Sequence, residues 1–161
     1  MTQQVLKDFL ATSPDGTLEK IAEDYHCSLY EVVCLLPNCV VIQGEHFDDV
    51  WNEVGNWGQI VLLTHTADAI IEYSGELPKG THKHGYFNLH KTNGLSGHIK
   101  AENCAHIALI KRKFMGTDTA SIVFLNQSGA AMLKIFLGRN NERYLQPAQL
   151  ERFDYLAQVL S

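Results

Sequence analysis

Residues 105–137 read AHIALIKRKFMGTDTASIVFLNQSGAAMLKIFL. The runs 105–114, 120–125 and 131–137 within it are aliphatic and β-branched, and Gly116 and Ser128-Gly129 separate them. Links this short join antiparallel neighbours, because a parallel return needs a crossover of a dozen or more residues. The stretch therefore predicts consecutive antiparallel strands. Upstream, 60–66 and 69–77 are further β-rich runs, joined by a short link containing Asp68. The run 85–91 leads into Asn93-Gly94, a strong hairpin signal, and 95–100 follows it.

Outside this block the period changes to that of helices. Val5, Leu6, Phe9 and Leu10 recur at helix spacing, and Pro14-Asp15-Gly16 makes a turn. Thr17 caps a helix with Leu18, Ile21, Ala22 and Tyr25 on its inner face. Ser28 caps the next, with Glu31 completing a capping box and Pro37 ending it. A short β-prone run, 40–43, precedes a helical pattern at 46–54 carrying Phe47, Val50, Trp51 and Val54. Pro147 opens a last helix that packs through Leu150, Phe153, Leu156, Ala157 and Leu160. Helices, then antiparallel strands, then a helix define an α+β fold. We expect one domain over 1–161: a mainly helical cap (1–55), a large antiparallel sheet (56–140) and a C-terminal helix (147–160). Strand faces such as Ile122/Phe124 and Leu133/Ile135 exceed what a few helices cover, which points to a dimer.

Composition narrows the function classes. The net charge of −5 argues against broad nucleic-acid binding, which needs a basic face. Residues 18–37 resemble a helix-turn-helix in outline. Their second helix, however, offers Tyr30 and Glu31 without Arg or Lys, so a DNA-binding regulator is a minor reading. Residues 1–12 lack the basic start and apolar run of a signal peptide. No stretch approaches the roughly 20 apolar residues of a membrane span. A cytoplasmic protein without membrane insertion is expected. Cys27, Cys34, Cys39 and Cys104 form no Cys-x-x-Cys pair and read as buried free thiols. No nucleophile elbow, phosphate loop or His-Glu-x-x-His run is present, so no catalytic residues are assigned.

The eight histidines are the chemically informative set. Imidazole ligates haem iron or zinc, but most single histidines are surface or satisfied core residues. His65 falls in register with Val61 and Leu63 on a largely apolar strand face. His98 follows Gly97 and projects on the same side as Lys100. That pairing suits an iron ligand beside a propionate contact, but spacing alone favours a solvated face with two polar side chains. His84, Tyr86, Asn88 and His90 share a face by alternation. Tyr86 is either a half-buried strand aromatic or a phenolate ligand. His82 and His84 offer two zinc ligands with nothing nearby to complete a set. The residues alone reach a histidine-rich α+β domain.

Longer blocks carry a resemblance: SGELPKGTHKHGYFNL (74–89), GLSGHIKAENCAHIALIKRKFMG (94–116) and AMLKIFLGRN (131–140). LATSPDGTLEKIAEDYHCSLYEVV (10–33) and PNCVVIQGEHFDDVWNEVGNWG (37–58) extend it over almost the whole chain. The chain resembles the cytosolic haem-utilisation carriers of the HutX/ChuX type. The resemblance implies a haem-binding carrier, not an enzyme, that stores haem or passes it to a haem-degrading partner after import. It implies a homodimer, haem b as cargo, and a large antiparallel sheet like one half of the two-repeat haem-trafficking and haem-degrading proteins. It implies His65 and His98 as iron-binding positions, Tyr86 as the alternative ligand and Lys100 beside them. A haem-degrading enzyme is the runner-up reading. Asn140 stands where an Asp is frequent in the family, a departure expected to affect a turn.

Overall fold

The structure, a computed structural model, describes residues 3–91 and 94–161. Short helices come first: α1 (Gln3–Leu10), α2 (Leu18–Asp24) and α3 (Leu29–Leu35). Then follow β1 (Cys39–Gln43), α4 (Phe47–Val54), β2 (Gln59–His65) and β3 (Ile70–Glu76). The small strands β4 (Gly80–Lys83), β5 (Tyr86–Leu89) and β6 (His98–Ile99) come next. The long strands β7 (Cys104–Phe114), β8 (Thr117–Asn126) and β9 (Ala131–Phe136) precede α5 (Pro147–Leu160).

The caps form as the sequence predicts. Thr17 Oγ1 accepts from the Lys20 N–H at 3.1 Å. The Glu31 N–H donates to Ser28 Oγ at 3.1 Å, and the Ser28 N–H donates back to Glu31 Oε2 at 2.8 Å. These bonds satisfy donors that a helix start leaves free. Strands β7 and β8 turn at Met115-Gly116, where φ is 52° and 77°. Positive φ at both central positions gives the turn whose twist matches its strands.

The strands form a six-stranded antiparallel sheet, ordered β1-β7-β8-β9-β2-β3, and a three-stranded sheet, β4-β5-β6. The large antiparallel sheet expected from the sequence is present, and β4–β6 form a small second sheet beside it. The run 85–91 was expected to lead into a turn at Asn93-Gly94, with His84, Tyr86, Asn88 and His90 on one face. Its start is the second arm of a hairpin with β4, turned at His84-Gly85 (φ 55° and 82°). Asn93 of the expected Asn93-Gly94 turn lies outside the described residues.

Both faces of the large sheet are covered. On one, Ala108, Ile110, Val123 and Leu125 pack with Leu6, Leu10, Ile21, Val32 and Val33 of α1–α3. On the other, Ile60, Leu62, Ile122, Phe124 and Ile135 pack with α4, with Phe87 of β5, and with Phe153 and Leu156 of α5. This corrects the expectation that Ile122, Phe124 and Ile135 need a second chain, since each is fully buried within this one; Leu133, named with them, is only partly buried. Sequence order alone did not show that the small sheet folds back as a further cover. The thiols are also not uniformly buried. Cys34 is exposed and Cys104 buried. Burial pushes the Cys104 thiol up to about 11 and the Cys39 thiol up to about 12, which keeps both unreactive.

Polar clamps close the layers. Gln149 of α5 is 2% exposed. Its Nε2 donates to the carbonyls of Trp57 and Gln59 at 2.9 Å each, and its Oε1 accepts from the Gly138 N–H at 2.7 Å. Gly138 fits only as glycine, since a Cβ there would meet the Gln59 carbonyl oxygen at 2.2 Å. Arg152 of α5 donates to both oxygens of Glu53 of α4 at 2.7 and 2.9 Å. That bond, opposed by burial and aided by the Trp57 indole N–H, holds the Glu53 carboxyl below its ordinary value.

Two outcomes follow. Gln149→Leu leaves a buried N–H and two carbonyls without partners and lowers stability by about 3 kcal/mol, read as a shift in the urea midpoint. Deleting residues 1–37 uncovers the Val123/Leu125 face; the fragment aggregates or binds a hydrophobic dye, whereas a soluble, dye-silent fragment contradicts the packing.

Candidate functional site

The candidate site is built on the small sheet. Phe87 of β5 is 3% exposed. It meets Phe47 edge-on at 5.3 Å and Trp51 at 5.5 Å between ring centroids. Strand alternation then turns Tyr86 and Asn88 to the opposite side. β6 lies alongside, and its His98 pairs with Asn88. His98 Nδ1 is 2.6 Å from Asn88 Oδ1. The Asn88 Nδ2 lies 3.1, 3.0 and 3.1 Å from the carbonyl oxygens of Thr81, Lys83 and Tyr86. The Tyr86 and His98 rings stand 6.0 Å apart, tilted by 70°. Lys100 Nζ sits 5.4 Å from the Tyr86 ring centroid. The structure thus gathers Tyr86, His98 and Lys100 into one exposed cluster.

An apolar trough opens beside it. His98 lines a cavity of about 220 Å³ with Leu62, Ile71, Tyr73, Leu89 and Leu133. One wall is the outer strand β3, whose Ile71 is 69% exposed. An apolar groove lined by an imidazole, which a phenol adjoins with an ammonium over its ring, suits a flat apolar ligand bearing a metal and anionic groups.

His65 is elsewhere. Its Nδ1 lies 3.3 Å from Glu19 Oε2 of α2, and the same oxygen is ion-paired with Lys134. Lys134 pairs with Val123 and Leu63, so Leu63 and His65 share the sheet face that α1–α3 cover. Leu62 and Thr64 point to the other face and line the trough with His98. Within one chain His65 and His98 are therefore on opposite faces of the sheet. The apolar setting expected for His65 is also charged. Lys134 sits inside an aliphatic run, and Glu19 is brought in by a helix far off in sequence.

The other candidates separate cleanly. His82 Nε2 lies 2.8 Å from Asp48 Oδ1, and His84 sits in the hairpin turn. Among the described residues no group of three or more His, Cys, Asp or Glu side chains is placed to hold a metal ion. A further cavity, of about 400 Å³, lies between the ends of α1 and α3 and the β7–β8 hairpin. Its cations are engaged: Arg112 donates to the carbonyls of Pro14 and Gly16, and Lys111 pairs with Asp154. Asn140 lies apart from the cluster and shapes a turn. Its Oδ1 accepts from the Glu142 and Tyr144 N–H groups at 2.9 and 3.0 Å, a job Asp does equally. The sequence reading passed over Asn88 as a site residue. Its place on the Tyr86 face was visible by alternation, but its contact with His98 depends on the β5–β6 register.

A model of haem utilisation proteins, ChuX/HutX, matches residues 40–156. The chain belongs to the ChuX/HutX haem-utilisation family. That match contains every residue of the cluster and His65. The intracellular haem transport protein HutX of Vibrio cholerae serotype O1 is 32% identical over 97% of this chain and 82% of that one. The structure of the haem-binding protein ChuX is 59% identical, covers 96% of this chain and 98% of that one, and superposes with a TM-score of 0.91. ChuS, an Escherichia coli haem oxygenase, is 9% identical with a TM-score of 0.77. It covers 94% of this chain, which spans only 47% of ChuS, and the likeness shows shared fold alone. No helix among the described residues of this ChuX/HutX member is long and apolar enough to cross a membrane.

Proposed function

We propose that this chain binds haem on the Tyr86–His98–Lys100 face and carries it through the cytoplasm to an acceptor. The observation that carries this reading is an imidazole, a phenol and an ammonium gathered in one exposed cluster, with the imidazole also lining an apolar trough. The trough receives part of the porphyrin's apolar surface. His98 supplies an imidazole nitrogen to the iron, with the Tyr86 phenol as the alternative ligand, and Lys100 meets a propionate. Haem b is the cargo in this reading, since the chain holds no Cys-x-x-Cys-His run for covalent attachment. Membership of a family that includes a haem transport protein and a haem-binding protein supports the same class.

The trough is open on one side, and a second surface completes the burial of a ligand this broad. His65 reaches the same haem only from another copy, because its own chain keeps it behind the sheet. The reading therefore includes a homodimer. A haem importer supplies the cargo, and a cytosolic haem-degrading enzyme takes it. Carriage is preferred to degradation by this chain because the relatives of higher identity bear transport and binding roles. A DNA-binding role gains nothing from α3, which buries Leu29, Val32 and Val33 and is tied by the Tyr30 N–H to the Gly129 carbonyl at 3.0 Å.

Haemin titration tests the reading. Wild-type protein develops a Soret band at saturation. His98→Ala shifts its maximum and hands haem to apomyoglobin about tenfold faster or more. An unchanged spectrum and rate remove His98 and make Tyr86→Phe the next variant. Under a reductant and oxygen, stable haem supports carriage and conversion to a bilin supports degradation. Light scattering checks the assembly: a species of 18.1 kDa alone at micromolar concentration excludes the homodimer.

A further inference from the structure

Asn88 is the most constrained polar side chain of the cluster, and its two ends face different partners. The Nδ2 end is surrounded by the carbonyl oxygens of Thr81, Lys83 and Tyr86. Carbonyl oxygens only accept, so the amide NH₂ must face them. The amide oxygen is thereby turned to His98, at 2.6 Å from Nδ1. That oxygen also only accepts. The Nδ1 atom must carry the proton, and a neutral imidazole then has its lone pair on Nε2.

We propose that Asn88 is a positioning residue that holds His98 in the Nδ1–H tautomer, so that Nε2 is the atom presented to haem iron. The step to iron rests on the haem reading above; the tautomer rests on the Asn88 contacts alone. The chain of cause is local. The His84-Gly85 turn brings the Lys83 and Tyr86 carbonyls to one side of Asn88, those carbonyls orient the amide, and the amide orients the ring. A ligating histidine commonly needs such a partner on its other nitrogen, and losing it weakens metal binding without removing the ligand. Asn88 also fixes the ring's rotation, so Nε2 is aimed before cargo arrives.

The decisive measurement is nitrogen-15 NMR of the histidine imidazoles in the cargo-free protein, at a pH where they are neutral. The His98 signals are assigned by their loss in His98→Ala. Wild-type His98 is expected to show a protonated Nδ1 and an unprotonated Nε2; a proton on Nε2 overturns the proposal. Asn88→Ala is expected to move proton population to Nε2, lower the ferrous iron–histidine stretching frequency, and speed haem transfer to apomyoglobin by about tenfold. If Asn88→Ala fails to fold, the wild-type tautomer decides alone. If wild type has the Nδ1–H form but His98→Ala binds haem unchanged, the haem reading fails and the tautomer assignment stands. If His98→Ala weakens binding and Asn88→Ala leaves tautomer, stretch and transfer rate as in wild type, the positioning role is refuted.

Discussion

The packing of Phe87 against Phe47 and Trp51 is the contact on which the site depends. It pins the small sheet to α4 and to the large sheet through Phe124, which lies 5.2 Å from Phe47. It also sets the face of every residue in β5. Strand side chains alternate, so a slip of one residue would bury Asn88 and expose Phe87. Burying a Phe side chain contributes about 1.5–3 kcal/mol, and burying an unpaired amide costs a similar amount. Register at Tyr86 and Asn88 is thus enforced by the core, not by the polar groups that use it. Gly80 belongs to the same device: a Cβ there would meet the Phe87 ring at 2.3 Å.

Legibility in the sequence followed how strongly each segment's pattern was dictated by burial. Strands β7, β8 and β9 were visible because they lie between two layers and carry near-continuous apolar runs. The caps at Thr17 and Ser28 were visible because their chemistry is local. β4 was not: Gly80-Thr81-His82-Lys83 holds no apolar residue to bury, and it is a strand because β5 pairs with it. Its turn was hidden for a related reason, since His84 takes a positive φ that is uncommon for residues other than glycine. The division into two sheets and the coverage of Ile122 and Phe124 depend on where the small sheet folds, which no local pattern encodes.

The two histidines show the same limit at the level of chemistry. Alternation placed His65 with Val61 and Leu63 and placed His98 beside Lys100, and both placements agree with the structure. What alternation could not give was which sheet each strand joins and what the opposite layer brings. β2 belongs to the large sheet and faces α2 there, so His65 meets Glu19, whose carboxylate also pairs with Lys134. β6 belongs to the small sheet and faces outward, so His98 meets Tyr86 and Asn88. The sequence set the two imidazoles apart by their strand neighbours, but the charged groups around His65 come from other elements.

An open trough is what carriage requires of the energetics. Each 100 Å² of apolar ligand surface removed from water contributes about 2.5 kcal/mol. A pocket enclosing both faces of a porphyrin would add enough of these increments to slow release severely. Here one wall is the outer strand β3 with Ile71 exposed, and His98 stands in the lining. In the proposed reading the chain supplies direction and part of the apolar contact, and a second surface supplies the rest. Affinity would then depend on whether that surface is present, and separating the surfaces would loosen the cargo without any change inside the site. Pre-aiming one imidazole nitrogen complements this arrangement. An oriented ligand atom lowers the ordering cost of binding, so a half-open site keeps specificity for a metal-bearing disc while its hydrophobic grip stays modest.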